Sequence, residues 1–267
     1  MSRYLFDNAA PQAEARFSAL ESGYDAVSRK ALAATGLGPG WVCLEVGGGG
    51  GSLGDWLGAR VGPHGEVTVT DVKPDLAESR PRPANVRVLR HDITRDPLPA
   101  EGYDLVHARL VLTHLPERLP VLERLAGALR PGGWLVLEDF DCRWTPVLAS
   151  PDDTATALFE RVHTALLTLL EQAGAAPRWG LEALSAMRRA GLTEVTATTF
   201  AQSWPGGGEE IGLYRANVEQ VAGRIGESGI TAAEVKRFLA LLDDPALVVN
   251  SYPLVSTRGR QPRKGGQ

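Results

Sequence analysis

A glycine-rich stretch that follows a short apolar run could form a ligand-binding loop. Residues 41–46 read WVCLEV, and five consecutive glycines, Gly47–Gly51, follow before a helix-like segment. Glycines suit such a loop because the backbone turns sharply there and a ligand can approach it without meeting a side chain. The third and fifth of them, with Gly54, satisfy G-x-G-x-x-G, and Asp71 ends the next apolar run. This is the pattern of a dinucleotide-binding loop.

A second pattern overlaps the first and includes an acid. Glu45, Gly47, Gly49 and Gly51 satisfy acid-x-G-x-G-x-G. A carboxylate at this place would repel a pyrophosphate but attract a cationic ligand. S-adenosylmethionine is such a ligand, because it carries an ammonium and a sulfonium and no phosphate. Glu45 therefore favours this ligand over a dinucleotide.

With four further segments, the chain resembles class I S-adenosylmethionine-dependent methyltransferases, especially small-molecule methyltransferases of secondary metabolism. Asp71 matches the acid that binds the ribose, Asp92 matches the acid that pairs with the adenine amino group, and Ile93 would pack on the ring. Residues 103–109 and 129–134 resemble the fourth strand and the turn into the fifth. The implied cofactor-binding residues are Glu45, Gly47, Gly49, Gly51, Asp71, Val72, Asp92, Ile93 and Arg109. For Arg109, a salt bridge is an equally good interpretation.

Candidates for catalysis and acceptor binding come from residues near the expected ligand edge. His114 follows the fourth strand and could face the transferred methyl group, or it could pack under the next helix. His163 lies between apolar residues of a long helix, and Tyr24 lies on the first helix. These three are the catalytic candidates, and Tyr4 and Trp144 are the candidates for acceptor binding. His107, inside the fourth strand, is expected to be a hydrogen-bonded core residue.

Composition excludes several classes of protein and site. The five histidines show no metal-ligand spacing, and two cysteines, Cys43 and Cys142, exclude a disulfide scaffold and a cysteine-based zinc site. We therefore expect no metal. A net charge of −4 argues against a nucleic-acid-binding surface. No run of apolar residues is long enough to span a membrane, and the N-terminal residues lack the apolar core of a signal peptide. We expect a cytoplasmic protein, monomeric or homodimeric, without nucleic-acid or membrane partners.

Alternating apolar runs and helix-like segments position these residues. The alternation over residues 41–140 predicts an α/β, doubly wound, Rossmann-like fold. The resemblance adds two strands, 191–204 and 246–257, to give a seven-stranded sheet in which the last strand is antiparallel. A helical cap would come from residues 1–40, 141–190 and 205–245, and residues 258–267 would form a flexible tail. All of this forms one methyltransferase domain, 1–267, with its cofactor-binding core at 41–140.

These observations together predict an enzyme. It would transfer a methyl group from S-adenosylmethionine to an oxygen, nitrogen or carbon nucleophile of a small organic acceptor, an aromatic or indole-type natural product. Two alternatives remain open at this point. One is an NAD-linked oxidoreductase, because the glycine loop also fits a dinucleotide, and the other is a cofactor-binding protein without catalytic activity.

Overall fold

A seven-stranded sheet forms the centre of the molecule. The computed structural model describes Leu5 and residues 12–263. The strands are β1 (Val42–Val46), β2 (Glu66–Asp71), β3 (Val86–Arg90), β4 (Tyr103–Arg109), β5 (Leu129–Phe140), β6 (Val147–Ala149), β7 (Thr193–Phe200), β8 (Ser203–Pro205), β9 (Val248–Asn250) and β10 (Leu254–Arg260). The central sheet has the order β3-β2-β1-β4-β5-β10-β7, and β10 runs antiparallel to both of its neighbours. The predicted seven-stranded, doubly wound sheet is confirmed.

Helices cover both faces of this sheet. They are α1 (Gln12–Ala33), α2 (Ser52–Val61), α3 (Asp75–Glu78), α4 (Arg118–Gly127), α5 (Asp153–Gln172), α6 (Trp179–Arg189), α7 (Gly212–Val221) and α8 (Ala232–Leu241). Leu32 of α1 and Leu57 of α2 pack on one face, against Val67 and Val136. Leu122 of α4 and Met187 of α6 belong to the apolar core of the other face. The central strands β1, β4 and β5 are largely buried, which explains why they read as continuous apolar runs.

A cap built by α5, α7 and α8 has its own core. It includes a small sheet of order β6-β9-β8, which the sequence analysis did not predict. Much of its interior is aromatic, and the ring of Tyr214 stacks on Tyr252 with 4.6 Å between centroids. The buried rings of this core are Tyr24, Phe140, Phe159, Trp204, Tyr214, Phe238 and Tyr252. The cap is therefore a packed layer rather than a set of loops.

Two helix starts in the cap can be compared with their sequence signals. Thr231 and Glu234, which have the sequence spacing of a capping box, form one at the start of α8. Before α5, Ser150 and Asp152 are both residue types that commonly cap a helix. Asp152 caps the helix by accepting a hydrogen bond of 2.8 Å from the backbone N–H of Ala155, whereas the Ser150 hydroxyl pairs with Thr156. An acid and a serine two residues apart are equivalent signals for a cap.

Three predicted boundaries differ from the structure. The segment 129–134 is part of β5 rather than a turn, with a shift of register where β4 pairs with it. The predicted strand 246–257 is split, because β9 pairs inside the cap whereas β10 pairs with β5 and β7. The predicted tail is ordered to Arg260, where β10 ends, and its last residues, 264–267, lie outside the described part of the chain.

Gly180 fixes the close approach of α6 to the sheet, and its replacement by alanine should destabilise the fold. A Cβ at this position would lie 2.4 Å from the backbone oxygen of Asp139, which cannot move without disturbing β5. We expect Gly180→Ala to cost on the order of 2 kcal/mol and to lower Tm by roughly 4–8 °C. Gly127→Ala is the matched control, because nothing lies within 4 Å of the added Cβ. Thermal unfolding followed by circular dichroism checks both variants, and equal Tm values would contradict the prediction.

Candidate active site

A cavity of about 610 Å³ lies at the carboxyl ends of β1, β2 and β4. The glycine loop, the segments that follow these strands and four helices, α1, α2, α5 and α7, line it. In open α/β sheets this edge is where ligands bind. The cavity is large enough for a nucleoside-sized ligand with a second small molecule beside it.

The glycine loop at one side of the cavity has a backbone that only glycine adopts easily. Gly47 and Gly49 have φ angles of +67° and +52°. The N–H groups of Gly47 and Gly48 donate hydrogen bonds to the carbonyl of Thr70, which hold the loop against β2. A Cβ at Gly47 would lie 2.4 Å from Cγ2 of Val111, so glycine keeps the space between the loop and the segment after β4 open. Gly51 lies behind the loop as the N-cap residue of α2 and does not line the cavity.

Asp71, at the end of β2, lines the cavity and is bonded to the loop. One carboxylate oxygen accepts a hydrogen bond of 3.1 Å from the N–H of Gly49, and the other accepts one of 2.9 Å from the N–H of Lys73. Burial raises the pKa of this carboxyl, and the backbone donors oppose that effect. Asp71 therefore holds an acceptor group at a fixed place beside Gly49.

The end of β3 places Asp92 in the cavity lining but turns Ile93 away from it. Burial alone would raise the pKa of Asp92, but hydrogen bonds from the N–H and hydroxyl of Thr94 lower it. The side chain of Ile93 is buried in the core between the sheet and α4. The prediction that Ile93 packs on the adenine ring is therefore wrong. The half-exposed Val72 and His91 line that part of the cavity instead.

A row of buried polar side chains crosses the sheet just below the cavity. Nδ1 of His107 lies 2.6 Å from Oε2 of Glu45, and Nε2 lies 3.2 Å from Oε2 of Glu138. The Ser256 hydroxyl donates a hydrogen bond to the other oxygen of Glu138. Burial would lower the pKa of His107, but the two carboxylates outweigh it and raise that pKa to about 9. Burial would raise the pKa of Glu138, but the bond to His107 lowers it.

Arg109 lines the cavity and joins β4 to α1. Its Nη1 lies 2.9 Å from Oδ1 of Asp25 and 3.1 Å from the Ser28 hydroxyl, and its side chain is 12% exposed. Of the two roles considered for Arg109, the salt bridge is therefore present. It fixes α1 against the sheet at the edge where the cavity opens.

The N-terminal part of α1 covers the glycine loop through residues that were not among the candidate site residues. A Cβ at Gly49 would lie 2.6 Å from the ring of Phe17, and Glu21 forms an ion pair of 3.5 Å with Arg80. Arg16, Phe17, Leu20 and Glu21 all line the cavity. Their spacing on one helix face reads as ordinary amphipathicity, so the sequence carries no signal that this face meets a ligand.

Of the catalytic candidates, His114 alone lines the cavity. Burial, with the charges of Arg16 and Arg118 nearby, lowers its pKa to about 3. The imidazole is therefore neutral at physiological pH and can accept a hydrogen bond. It lies at the end of a short 3₁₀ turn, Leu112–His114, that follows β4.

The other candidates for catalysis and acceptor binding lie elsewhere. Tyr24 is fully buried in the cap core, where its hydroxyl donates a hydrogen bond of 2.8 Å to the carbonyl of Tyr252. His163 is buried, and its Nε2 lies 2.8 Å from the carbonyl of Cys142, so both residues support packing rather than catalysis. Trp144 is 58% exposed and does not line the cavity. Tyr4 lies outside the described residues.

The end of the cavity beneath the cap is mainly apolar. Its polar lining includes Asn217 and Tyr252, whose hydroxyl is hydrogen-bonded to the Asn217 side chain. The apolar residues are Phe140, Leu166, Leu167, Leu170, Ala175, Pro177 and Leu213. His114 lines the same cavity. The apolar end suits a ligand with little charge.

The part of the chain that the structure describes contains neither a metal-binding cluster nor a membrane-spanning helix. Across Leu5 and residues 12–263, no group of three or more His, Cys, Asp or Glu side chains is placed to hold a metal ion. In the same part of the chain, no helix combines the length and apolarity that a membrane span requires.

Comparison with known proteins identifies this arrangement. A family model described as "Methyltransferase domain" matches residues 44–135, which include the glycine loop, Asp71 and Asp92. Methyltransferase str2 of Strobilurus tenacellus is 32% identical over 169 residues, which are 62% of this chain and 58% of that protein. Residues 44–135 of the chain therefore match a methyltransferase domain.

Two other matches, one in sequence and one in structure, extend this comparison. Acetylserotonin O-methyltransferase of Mus musculus molossinus is 33% identical over 188 residues, which are 66% of this chain and 45% of that protein. The chain thus spans about half the length of the curated relatives it matches. A crystal structure of a Bacillus halodurans protein, classed as a candidate methyltransferase, has a TM-score of 0.58 at 17% identity, over 88% of this chain and 98% of that one. That likeness shows a shared fold.

The residues of the cavity fit S-adenosylmethionine, the cofactor of this family. Three carboxylates, Glu45, Asp71 and Asp92, line one continuous cavity around the glycine loop. They can serve the ammonium, the ribose hydroxyls and the adenine amino group, in that order, and the loop leaves room for the ligand. A dinucleotide would bring its pyrophosphate towards Glu45, which is held beside the loop by His107.

Proposed function

We propose that this chain transfers a methyl group from S-adenosylmethionine to an oxygen, nitrogen or carbon nucleophile of a small, uncharged, aromatic acceptor. The observation that carries the proposal is the single cavity that runs from the glycine loop to the apolar end beneath the cap. One end offers carboxylates and a glycine backbone, and the other offers apolar surface. Two ligands of different chemistry can therefore lie side by side.

The mainly apolar lining of this end supports an uncharged acceptor. A charged group of the acceptor that moved from water into this end would find no counter-charge beside it. The cost would be several kcal/mol, on the order of that for unpaired buried ions. Asn217 and the hydroxyl of Tyr252 can each form hydrogen bonds with a neutral polar group of the acceptor. A relative named acetylserotonin O-methyltransferase acts, by its name, on an oxygen of a small molecule, which agrees with this choice.

The protein's contribution to the reaction is mainly positioning. S-adenosylmethionine supplies an activated methyl group when it is bound. Fixing both reactants in one cavity can provide about 7–11 kcal/mol of the acceleration. His114 is neutral and can accept a hydrogen bond from a hydroxyl or amine of the acceptor. This hydrogen bond would orient the lone pair of the acceptor's nucleophilic atom. Residues of the cap line the apolar end of this cavity.

Binding and turnover test the proposal directly. Calorimetric titration should give binding of S-adenosylmethionine and S-adenosylhomocysteine and none of NAD, because Glu45 opposes a pyrophosphate. A panel of neutral, cationic and anionic aromatic acceptors, assayed with methyl-labelled S-adenosylmethionine, should show transfer to neutral members. Binding of NAD without S-adenosylmethionine would contradict the proposal, and so would cofactor binding without transfer to any member of the panel.

A carboxylate placed in the apolar end should weaken acceptor binding alone. Leu167 lines this end and is partly buried, so Leu167→Glu should raise the KM for a neutral acceptor by about tenfold or more. The affinity for S-adenosylhomocysteine should stay within about twofold of the unchanged protein, as for a residue that acts on one ligand. Leu148→Glu is the matched control, because Leu148 is 54% exposed and does not line the cavity. If both variants keep the original acceptor KM, the acceptor binds elsewhere.

The remaining sequence predictions concern the setting of the protein. A cytoplasmic location, a monomeric or homodimeric state and the absence of nucleic-acid and membrane partners stay predictions. The net charge of −4 supports a small-molecule acceptor over a nucleic acid.

A further inference from the structure

The polar row beneath the cavity follows the register of the sheet. Glu45 lies opposite His107 in the pairing of β1 with β4, and Glu138 lies opposite Ser256 in the pairing of β5 with β10. Two residues earlier on the same face, β1, β4 and β5 carry Cys43, Leu105 and Val136, which are apolar and packed against α1 and α2. The face thus changes from apolar to charged at the row that meets the cavity.

His107 is bonded to a carboxylate at each ring nitrogen. A neutral imidazole has one N–H donor, so one of the two carboxylates would face a lone pair rather than a hydrogen. An imidazolium donates to both. The distances of 2.6 Å to Glu45 and 3.2 Å to Glu138 are therefore satisfied together when the ring is protonated.

The other charged groups around this ring are themselves bonded. On β4, Arg109 pairs with Asp25 of α1. On β5, Asp139 follows Glu138 and accepts a hydrogen bond from the N–H of Thr113, and burial raises the pKa of its carboxyl well above the usual range. From α1, the Ser28 hydroxyl contacts Glu138. The charge of His107 is therefore directed at the two carboxylates of the row.

We propose that protonated His107 is a positioning residue, which holds the Glu45 side chain oriented to bind the ammonium of the methionine part of the cofactor. This inference rests on the proposed function. Glu45 lines the cavity and His107 does not, so His107 would act through Glu45. Glu138 and Ser256 fix the far side of the ring and thereby its orientation.

Comparison of two ligands separates positioning from a general structural role. S-adenosylhomocysteine carries the ammonium, and methylthioadenosine shares the adenosine and the thioether but lacks the amino-acid part. We expect His107→Gln to weaken S-adenosylhomocysteine by about ten- to a hundredfold and to leave methylthioadenosine within about twofold, both measured by calorimetry at neutral pH. Glu45→Gln should give the same pattern, and the double variant should lose little more, because the two residues act as a unit. Equal weakening of both ligands would overturn the proposal.

A matched histidine control and a measurement on the unchanged protein complete the test. His163→Gln removes another buried histidine that lies outside the cavity lining, and it should leave the ratio of the two affinities unchanged. In the unchanged protein, nitrogen NMR of the His107 ring should show both nitrogens protonated at neutral pH and lose that signal as the pH rises through about 9. A neutral ring at neutral pH would overturn the proposal even if His107→Gln does not fold. If the unchanged protein binds methylthioadenosine but not S-adenosylhomocysteine, Glu45 does not bind the ammonium and the proposal is overturned. Failure of the unchanged protein to bind either ligand would instead refute the proposed function.

Discussion

Asp71→Ala should weaken the binding of S-adenosylhomocysteine by about ten- to a hundredfold. Asp71 is buried at the cavity wall, and its two oxygens are held by the backbone of Gly49 and Lys73. In the family this acid binds the ribose hydroxyls, and a hydrogen bond to a charged acceptor contributes roughly 1.5–3 kcal/mol. The substitution removes that contact and also frees the N–H of Gly49. Asp71→Asn keeps one acceptor oxygen and should lose less.

Calorimetric titration of each variant measures this effect. Asp75→Ala is the matched control, because Asp75 lies four residues further along the chain and its ion pair with Arg90, at 3.6 Å, is exposed. Its affinity for S-adenosylhomocysteine should stay within about twofold of the unchanged protein. Wild-type affinity in Asp71→Ala, with the fold intact by circular dichroism, would show that Asp71 serves the glycine loop rather than the cofactor.

His114→Ala should lower kcat by about ten- to a hundredfold for an acceptor that reacts through a hydroxyl or an amine. The pKa of His114, lowered to about 3, makes the neutral ring a steady hydrogen-bond acceptor rather than a strong base. His114 would orient the nucleophile of the acceptor until the nucleophile loses its proton. Misplacement of the reacting groups lowers the rate of the reaction. His114→Gln keeps an acceptor oxygen on a side chain of similar size and should lose less.

The pH dependence of kcat gives a second measure of His114. A histidine is competent to accept a hydrogen bond above its pKa, so a value near 3 predicts no loss of kcat from this group between pH 8 and pH 5. A decline centred near 6.5, the ordinary histidine value, that disappears in His114→Ala would contradict this assignment. His64→Gln serves as control, because His64 is exposed in the turn before β2 and does not line the cavity.

The cofactor side of the site could be predicted because it depends on short segments. Glu45, Asp71 and Asp92 each stand at or just past the end of a strand, and parallel strands bring such ends to one edge whatever the rest of the chain does. The prediction for Ile93 was wrong because, at the end of a strand, a shift of one residue decides whether a side chain faces the edge or the core. The periodicity of an apolar run does not show that difference.

The acceptor side could not be predicted because distant segments build it. Tyr24 and Tyr252 meet across more than two hundred residues of chain, and their contact places both in the core of the cap. An aromatic residue at helical spacing looks the same whether it faces a ligand or another ring. Likewise, His107 was correctly placed in the core, but its second carboxylate comes from β5, which no local pattern links to it.

The cap described above comes from two separate stretches of chain, one between β5 and α6 and the other between β7 and β10. The first follows β5 directly, and the second begins and ends at neighbouring strands of the sheet, β7 and β10. The family match ends at residue 135, before either stretch begins. Both stretches can therefore be grafted from a related protein, or diversified in a library, while residues 42–140 stay unaltered. Under the proposed function, this topology would let the acceptor-binding segments be exchanged while the cofactor-binding segments stay constant.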